Sequence, residues 1–330
     1  MQTVDRVLRE AWGVKPTDEL DELGEEPVAV TPSAQVHRGV LEGQPVAVKV
    51  LRPGLAGLVR QDLALLESLM APLSAAFPAL DAAAILAEFR ERVLDELDLE
   101  HEATSQRHFH RRLRGHSFLS VPAPVTRLAH ESVLVGEWID GVTLWDAPDH
   151  DRAAAALVVF ALGSGRHGFA HADPNPDDVL VREDGRLAIL DFGAVRAVDL
   201  ERADAAADAA DAFAERNADG FGVAVERLGW LPAEHSELAL ELGIEVLAEL
   251  AGPDPVHLDS DAIIAARDRL FERPRELGRL LGAGRLAPED LWPLRGVGQA
   301  FATVARIGAT GRWRELARAA LREGWDARVD

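Results

Sequence analysis

His171-Ala172-Asp173-Pro174-Asn175-Pro176-Asp177-Asp178 is followed thirteen residues later by Asp191-Phe192-Gly193, and the reading of this stretch decides the fold. Between the two segments, Val179 to Val181 and Leu187 to Leu190 read as short strands turned at Asp184-Gly185, a pair suited to a tight hairpin turn. A hairpin flanked by acidic residues can bring Asp173, Asp178 and Asp191 toward one point. Carboxylates that close repel unless a cation neutralises them, so the arrangement suggests a Mg²⁺–nucleotide site.

The chain around this stretch has 330 residues, 48% of them hydrophobic, enough for one large domain or two lobes. Its 35 basic and 56 acidic residues give a formal charge of -21, which argues against a nucleic-acid binder needing a basic face for phosphate. No cysteine is present, so disulfides, thiol nucleophiles and zinc–thiolate sites are excluded. The first twenty residues are charged throughout, unlike a signal peptide. The longest apolar run, Ala153 to Leu162, is ten residues against the roughly 20 needed to span a bilayer. A cytoplasmic protein is expected, at most peripheral at the inner face of a membrane.

Toward the N-terminus, Val4, Val7, Leu8 and Ala11 fall at helical spacing within residues 2 to 12. Strands are expected at Val28 to Val30, Ala34 to Leu41, Pro45 to Leu51, Pro124 to Leu128 and Ser132 to Trp138. Helices are expected at about 55–69 and 81–113. After Asp140-Gly141 everything reads as helical except the hairpin. The pattern divides into a β-rich N-lobe over 1–136, a hinge at 137–141 and a mainly helical C-lobe over 142–330.

Val46-Ala47-Val48-Lys49 alternates so that Ala47 and Lys49 share a face. Alone, Lys49 would be an ordinary strand lysine. In the expected long helix, Asp95, Asp98 and Glu102 share a face while Glu96 points about 120° from Glu102. Only one of Glu96 and Glu102 can therefore address Lys49, and the bland alternative is an acidic helix facing water. Gly163-Ser164-Gly165-Arg166-His167-Gly168 matches Gly-x-Gly-x-x-Gly, but a helix precedes it where a dinucleotide site needs a strand, so it reads as helix termination. His101, His108, His110 and His116 lack zinc-ligand spacing and read as surface or core histidines. Asp204, Asp208 and Asp211 share one helix face, expected to be solvated. Arg314, Arg318 and Arg322 form a stripe that could touch anionic lipid, against the simpler reading of a packed terminal helix with outward arginines.

A strand lysine, a helical glutamate, an acidic loop and an Asp-Phe-Gly after a hairpin occur in the order of the protein-kinase signature set, although the Gly-rich loop and His-Arg-Asp are absent. What stands instead resembles the UbiB/ADCK (AarF-like) family of atypical kinases. The resemblance rests on Ala34-Gln35-Val36-His37, Val46 to Pro53, Glu96-Leu97-Asp98 with Glu102-Ala103, His171 to Asp178 and Asp191-Phe192-Gly193, and runs from about residue 5 to at least residue 230. It implies an α+β, two-lobed protein-kinase-like fold that binds ATP with Mg²⁺, Mn²⁺ being an alternative. By the same resemblance Lys49 holds phosphates and pairs with Glu102, while Asp178 and Asp191 ligate metal. Asp173 orients or deprotonates an acceptor, Ala34 and the Glu137 to Ile139 connector meet the nucleotide, and Glu96 and Asp98 serve substrate-side or regulatory machinery.

Three departures from that family stand out. Its loop usually reads His-Ala-Asp-Pro-His-Pro-Gly-Asn, whereas here Asn175, Asp177 and Asp178 replace His, Gly and Asn. In the loop Ala29-Val30-Thr31-Pro32-Ser33-Ala34, Pro32 has no N–H to give a phosphate. The family's upstream Lys-x-Gly-Gln segment is missing, which puts its self-inhibition in question. Three readings follow: an ATP-dependent phosphotransferase or ATPase acting near quinone or isoprenoid-lipid metabolism, a nucleotide-binding pseudokinase with a regulatory role, and a small-molecule kinase of the aminoglycoside-phosphotransferase type.

Overall fold

Alternation along Gln44–Leu51 sends Val46, Val48 and Val50 to one face of a strand and Ala47 and Lys49 to the other. The structure is a computed structural model and describes residues 2–76, 90, 94, 97–252 and 255–329. Its contacts divide the chain into two units, Met1–Asp140 with Ala188–Ala194, and Gly141–Leu187 with Val195–Asp330.

In the first unit Gln44–Leu51 pairs antiparallel with Ala34–Leu41 in unbroken register, from Ala34 opposite Leu51 to Leu41 opposite Gln44. Glu42 and Gly43 both take positive φ (52° and 74°) in the turn, which a two-residue hairpin of this twist requires. Val133–Glu137 pairs on the other side of Gln44–Leu51, and Glu22–Leu23 and Ala29–Val30 add to Ala34–Leu41. The three valines bury against Val4, Val7 and Leu8 of the helix Gln2–Trp12, with Leu20, Val133 and Val135. Full burial of such a side chain contributes roughly 1.5–3 kcal/mol, so this layer rather than intrinsic propensity holds an eleven-residue helix in place. On the opposite face Ala34, Leu51 and Leu134 meet Leu99 and Ala103.

Two expectations for this unit are corrected. Pro124 to Leu128 is not a strand: Pro124 keeps one bridge to Gly136, and Thr126–Leu128 is a 3₁₀ turn. Pro122 and Pro124 lack the N–H groups that a ladder consumes. The helix expected from Asp81 to Leu113 is described as Leu99–Arg112, starting at an extended Asp98 (φ −122°, ψ 96°) whose carboxylate caps Glu100 and His101 N–H. Asp98 therefore stands before the helix and shares no helical face with Glu102. Such a cap is worth about 1 kcal/mol and fixes where the helix begins. Asp95 and Glu96 lie outside the described residues.

The second unit is built on His150–Gly163, whose Ala153 to Ala161 are all buried, as expected of a helix apolar all round. It ends in a 3₁₀ turn, Ser164–His167, and a left-handed Gly168 (φ 81°), so the Gly-x-Gly-x-x-Gly match is helix termination. The hairpin turn at Asp184-Gly185 is closed by Arg182 N–H to Arg186 C=O at 2.9 Å. The unit is not otherwise wholly helical. Phe169–His171 pairs with Val195–Ala197 and Val256–Leu258 with Ala309–Gly311, so the terminal helix is Trp313–Glu323. Three-residue strands are too short to carry a readable period.

The acidic face of Leu200–Ala214 is not simply solvated. Asp204 pairs with Arg166, Asp208 with Arg227 and Arg322, and Asp211 with Arg318 and Arg322. Burial would raise the Asp211 pKa, but the hydrogen bonds from Arg318 and Arg322 outweigh it and hold the carboxyl below its usual range. Arg318 and Arg322 are thus ion-paired with this helix. Among the described residues no helix is long and apolar enough to cross a membrane.

Asp290 accepts from Arg202 Nε at 3.0 Å and Trp230 Nε1 at 2.6 Å, and is 8% exposed. Asp290→Ala strands a partly buried guanidinium and is expected to cost about 3 kcal/mol. Arg127→Ala breaks exposed, solvent-screened pairs to Glu19 and Glu42 and should leave the stability close to that of the wild type. Urea denaturation of the two variants checks the difference, and equal losses would refute it.

Candidate active site

Lys49 leaves the sheet on the face opposite the valine core, and strand alternation alone puts it there. Its Nζ donates to Glu102 Oε1 and Oε2 at 2.9 and 2.8 Å and to Asp191 Oδ2 at 2.8 Å. All three residues belong to the first unit. Glu102 sits in the first turn after the Asp98 cap, and the buried side of that helix also carries Leu99, Ala103, Gln106 and Phe109. Gln106 Nε2 is anchored to the Pro122 carbonyl at 3.0 Å. Asp191 is oriented by Gly193 N–H, which donates to Oδ1 at 2.9 Å. The intervening Phe192 is fully buried, its ring centroid 5.0 Å from that of Phe109. Of the two glutamates that could address Lys49, Glu102 does so. It is buried and ion-paired, which overturns the water-facing reading of this helix.

The cluster holds one ammonium and two carboxylates, with side-chain exposures of 20% for Lys49, 2% for Glu102 and 35% for Asp191. Burial alone would lower the Lys49 pKa, but Asp191 and then Glu102 outweigh it, and the ammonium is held well above its ordinary value. Burial, reinforced by the Asp191 charge, pushes the Glu102 carboxyl up to about 7 against the pull of Lys49. With all three ionised, the group carries one uncompensated negative charge, and Asp191 is its most exposed member.

In the second unit, Asn175 caps a short 3₁₀ turn, Pro176–Asp178, its Oδ1 accepting Asp177 N–H at 3.2 Å. Asp178 is half-buried and its N–H donates to Asn175 C=O at 3.0 Å. Asn175, which replaces the family's histidine, has thus become a turn-capping residue. Asp173 Oδ2 accepts from Arg295 Nη2 at 3.0 Å, and Arg295 Nη1 donates to Ala172 C=O at 3.1 Å. Nothing in the sequence pairs residues 122 positions apart, and Arg295 lies in a helix, Pro288–Ile307, with no motif of its own.

Among the expected nucleotide contacts, Ala34 is fully buried and its N–H donates to Thr31 Oγ1 at 2.9 Å, closing the loop on itself. Its carbonyl accepts Thr31 N–H, also at 2.9 Å. Glu137 N–H is bonded to Ala123 C=O and Trp138 N–H to Pro45 C=O, while Ile139 is buried. Arg38 lies over the Trp138 ring at 4.9 Å. His108, His110 and His116 are each engaged by neighbouring Arg112, Val121 C=O and the Phe118 and Leu119 amides. Among the described residues no three His, Asp or Glu side chains converge on a metal position.

A family model described as the ABC1 atypical kinase-like domain matches residues 1–223. AarF domain-containing protein kinase 1 of Xenopus tropicalis is 31% identical over 204 residues, covering 58% of this chain and 39% of its own length. Probable protein kinase UbiB of Marinobacter nauticus is 28% identical over 260 residues, covering 74% of this chain and 47% of its own. The chain spans less than half the length of the curated relatives it matches. Among solved structures, the Rv3197–erythromycin complex from Mycobacterium tuberculosis superposes with a TM-score of 0.72 at 23% identity, covering 96% of this chain and 81% of that one. That likeness shows a shared fold, which is of the mixed α+β, kinase-like type. By the family match over two thirds of its length, the chain belongs to the ABC1 atypical kinase-like family that includes the AarF and UbiB proteins.

Proposed function

We propose that the chain binds ATP with Mg²⁺ and acts as an ATP-dependent phosphotransferase or ATPase of the UbiB/ADCK type. The observation that carries the reading is the Lys49 ammonium shared at 2.8–2.9 Å between Glu102 and Asp191. In this reading Glu102 fixes the direction of Lys49, and the ammonium receives phosphate oxygens. Asp191, and in the second unit Asp178, offer hard carboxylate oxygens, the donor type that Mg²⁺ prefers, and with Glu102 ionised the surplus negative charge beside Asp191 favours a cation there. When bound, the ion would neutralise developing phosphate charge. Asp173 receives the proton of the acceptor. A lipid or quinone-precursor acceptor follows from the family resemblance alone.

A nucleotide-binding regulatory module is the second reading. It is favoured by the Thr31–Ala34 loop, which spends Ala34 N–H on Thr31 Oγ1, and by Asp178 standing where the family has Asn.

Differential scanning fluorimetry tests the nucleotide site. Millimolar ATP with Mg²⁺ should raise the melting temperature, since occupancy at 100 times Kd adds about 2.7 kcal/mol. Lys49→Ala should abolish the shift, and no shift in the wild type with or without Mg²⁺ would sink both readings. Phosphate release separates them: Asp191→Asn should reduce turnover at least about 100-fold if the chain is an enzyme, and unchanged turnover would mean the site is misassigned.

The Glu102 carboxyl gives a pH signature. Folded, it keeps its proton to about 7, whereas its ordinary value is 4.5, so the folded state binds more protons between these limits. Stability should therefore fall as pH rises through that window, by on the order of 3 kcal/mol, and level off above it. Lys49 acts in the opposite window: its contribution is complete below its ordinary 10.5 and is lost only at more alkaline pH. Urea midpoints of the wild type and Glu102→Gln across pH 4.5–8 check this. The variant should lack the slope, and parallel curves would refute the assignment.

A further inference from the structure

We propose that Arg295 is a positioning residue for the reaction, fixing the Asp173 carboxylate so that Oδ1 is the oxygen left to take the acceptor's proton. The inference rests on the reading of Asp173 given above. Arg295 grips two consecutive residues with one planar group, Nη1 on the Ala172 carbonyl at 3.1 Å and Nη2 on Asp173 Oδ2 at 3.0 Å. A guanidinium bound to main chain and side chain together sets the carboxylate's orientation relative to the loop, which an ammonium cannot do as well.

The next residue on the helix supplies an independent observation. A Cβ at Gly296 would lie 2.2 Å from the His171 carbonyl oxygen and 3.2 Å from Ala172 Cα, so only glycine lets the helix come this close to the loop. Trp292, three residues earlier on the same face, has its ring centroid 5.8 Å from the Arg295 guanidinium carbon and steadies it. Stability is a poor explanation for the pair. With side-chain exposures of 44% and 31%, it is a solvent-screened pair that contributes little to folding.

Asp173 Oδ1, by contrast, is buried and has no hydrogen-bond partner among the described residues. A buried acceptor without a donor carries a desolvation cost that is recovered when a donor arrives. With water as acceptor, its O–H proton passes to Oδ1 as its oxygen bonds the γ-phosphorus. The bond from that phosphorus to the bridging oxygen breaks, and ADP leaves with the electron pair.

The test uses the full chain, MgATP and phosphate release. Arg295→Ala should keep the MgATP-induced thermal shift and an ATP KM within about twofold, while kcat falls on the order of 100-fold. Arg295→Lys should recover part of the loss. Added guanidinium ion should restore part of the turnover of Arg295→Ala and none of that of Asp173→Ala. Hydrogen exchange across residues 171–178 should quicken in Arg295→Ala. A wild-type kcat in Arg295→Ala, a loss carried by KM or the thermal shift, or no guanidinium rescue overturns the inference while leaving the enzyme reading intact. A wild type that binds MgATP yet releases no phosphate overturns the enzyme reading, and the positioning role with it.

Discussion

The ammonium of Lys49 lies between carboxylates brought from 53 and 142 residues away, and the first unit depends on that meeting. Glu102 is 2% exposed, and a carboxylate buried that deeply persists only beside a cation or by keeping its proton. The strand must therefore present Lys49 in the right phase, and the helix must begin where Asp98 caps it. The Asp-Phe-Gly segment must also lie against both, with Phe192 lodged by Phe109. A slip of one residue in the strand would turn Lys49 into the valine core. Charge and apolar packing fix the same geometry from two sides.

The second unit manages its charges differently. Its acidic helix Leu200–Ala214 meets arginines from three other segments, and most of these side chains are between a quarter and a half exposed. Each pair there is worth little alone. Together they tie the terminal helix to the rest of the unit, and they explain how a chain of charge -21 places carboxylates three and four residues apart on one helix without their repelling it open.

Much of this was readable from the residues. Val46 to Lys49 shows its alternation, Gln2 to Trp12 its helical spacing, and the ordered Lys49, Glu102, Asp173 and Asp191 their kinase-like sequence. What escaped reading has a physical reason in each case. Asp98 fits a helical period as well as it fits a cap, and only the backbone decides between them. Phe169–His171 and Val195–Ala197 are too short to show alternation. Arg295, and the Arg318 and Arg322 that neutralise Asp211, act across more than 100 residues, a range over which pattern carries no information.

The close approach of Gly163 to Gly324 has a consequence for what counts as a domain. A Cβ at Gly163 would sit 2.7 Å from the Gly324 carbonyl carbon, and Trp325 stacks on His167 with ring centroids 4.0 Å apart. The central helix His150–Gly163 lies within the stretch recognised by the family model, yet its walls come from beyond that stretch. The end of the family model's match at residue 223 is therefore not a limit of cooperative folding. A fragment cut there would expose the apolar helix and leave Asp208 and Asp211 without Arg318 and Arg322. The tail is a scaffold in its own right, free to vary in chemistry only where it keeps that shape and charge.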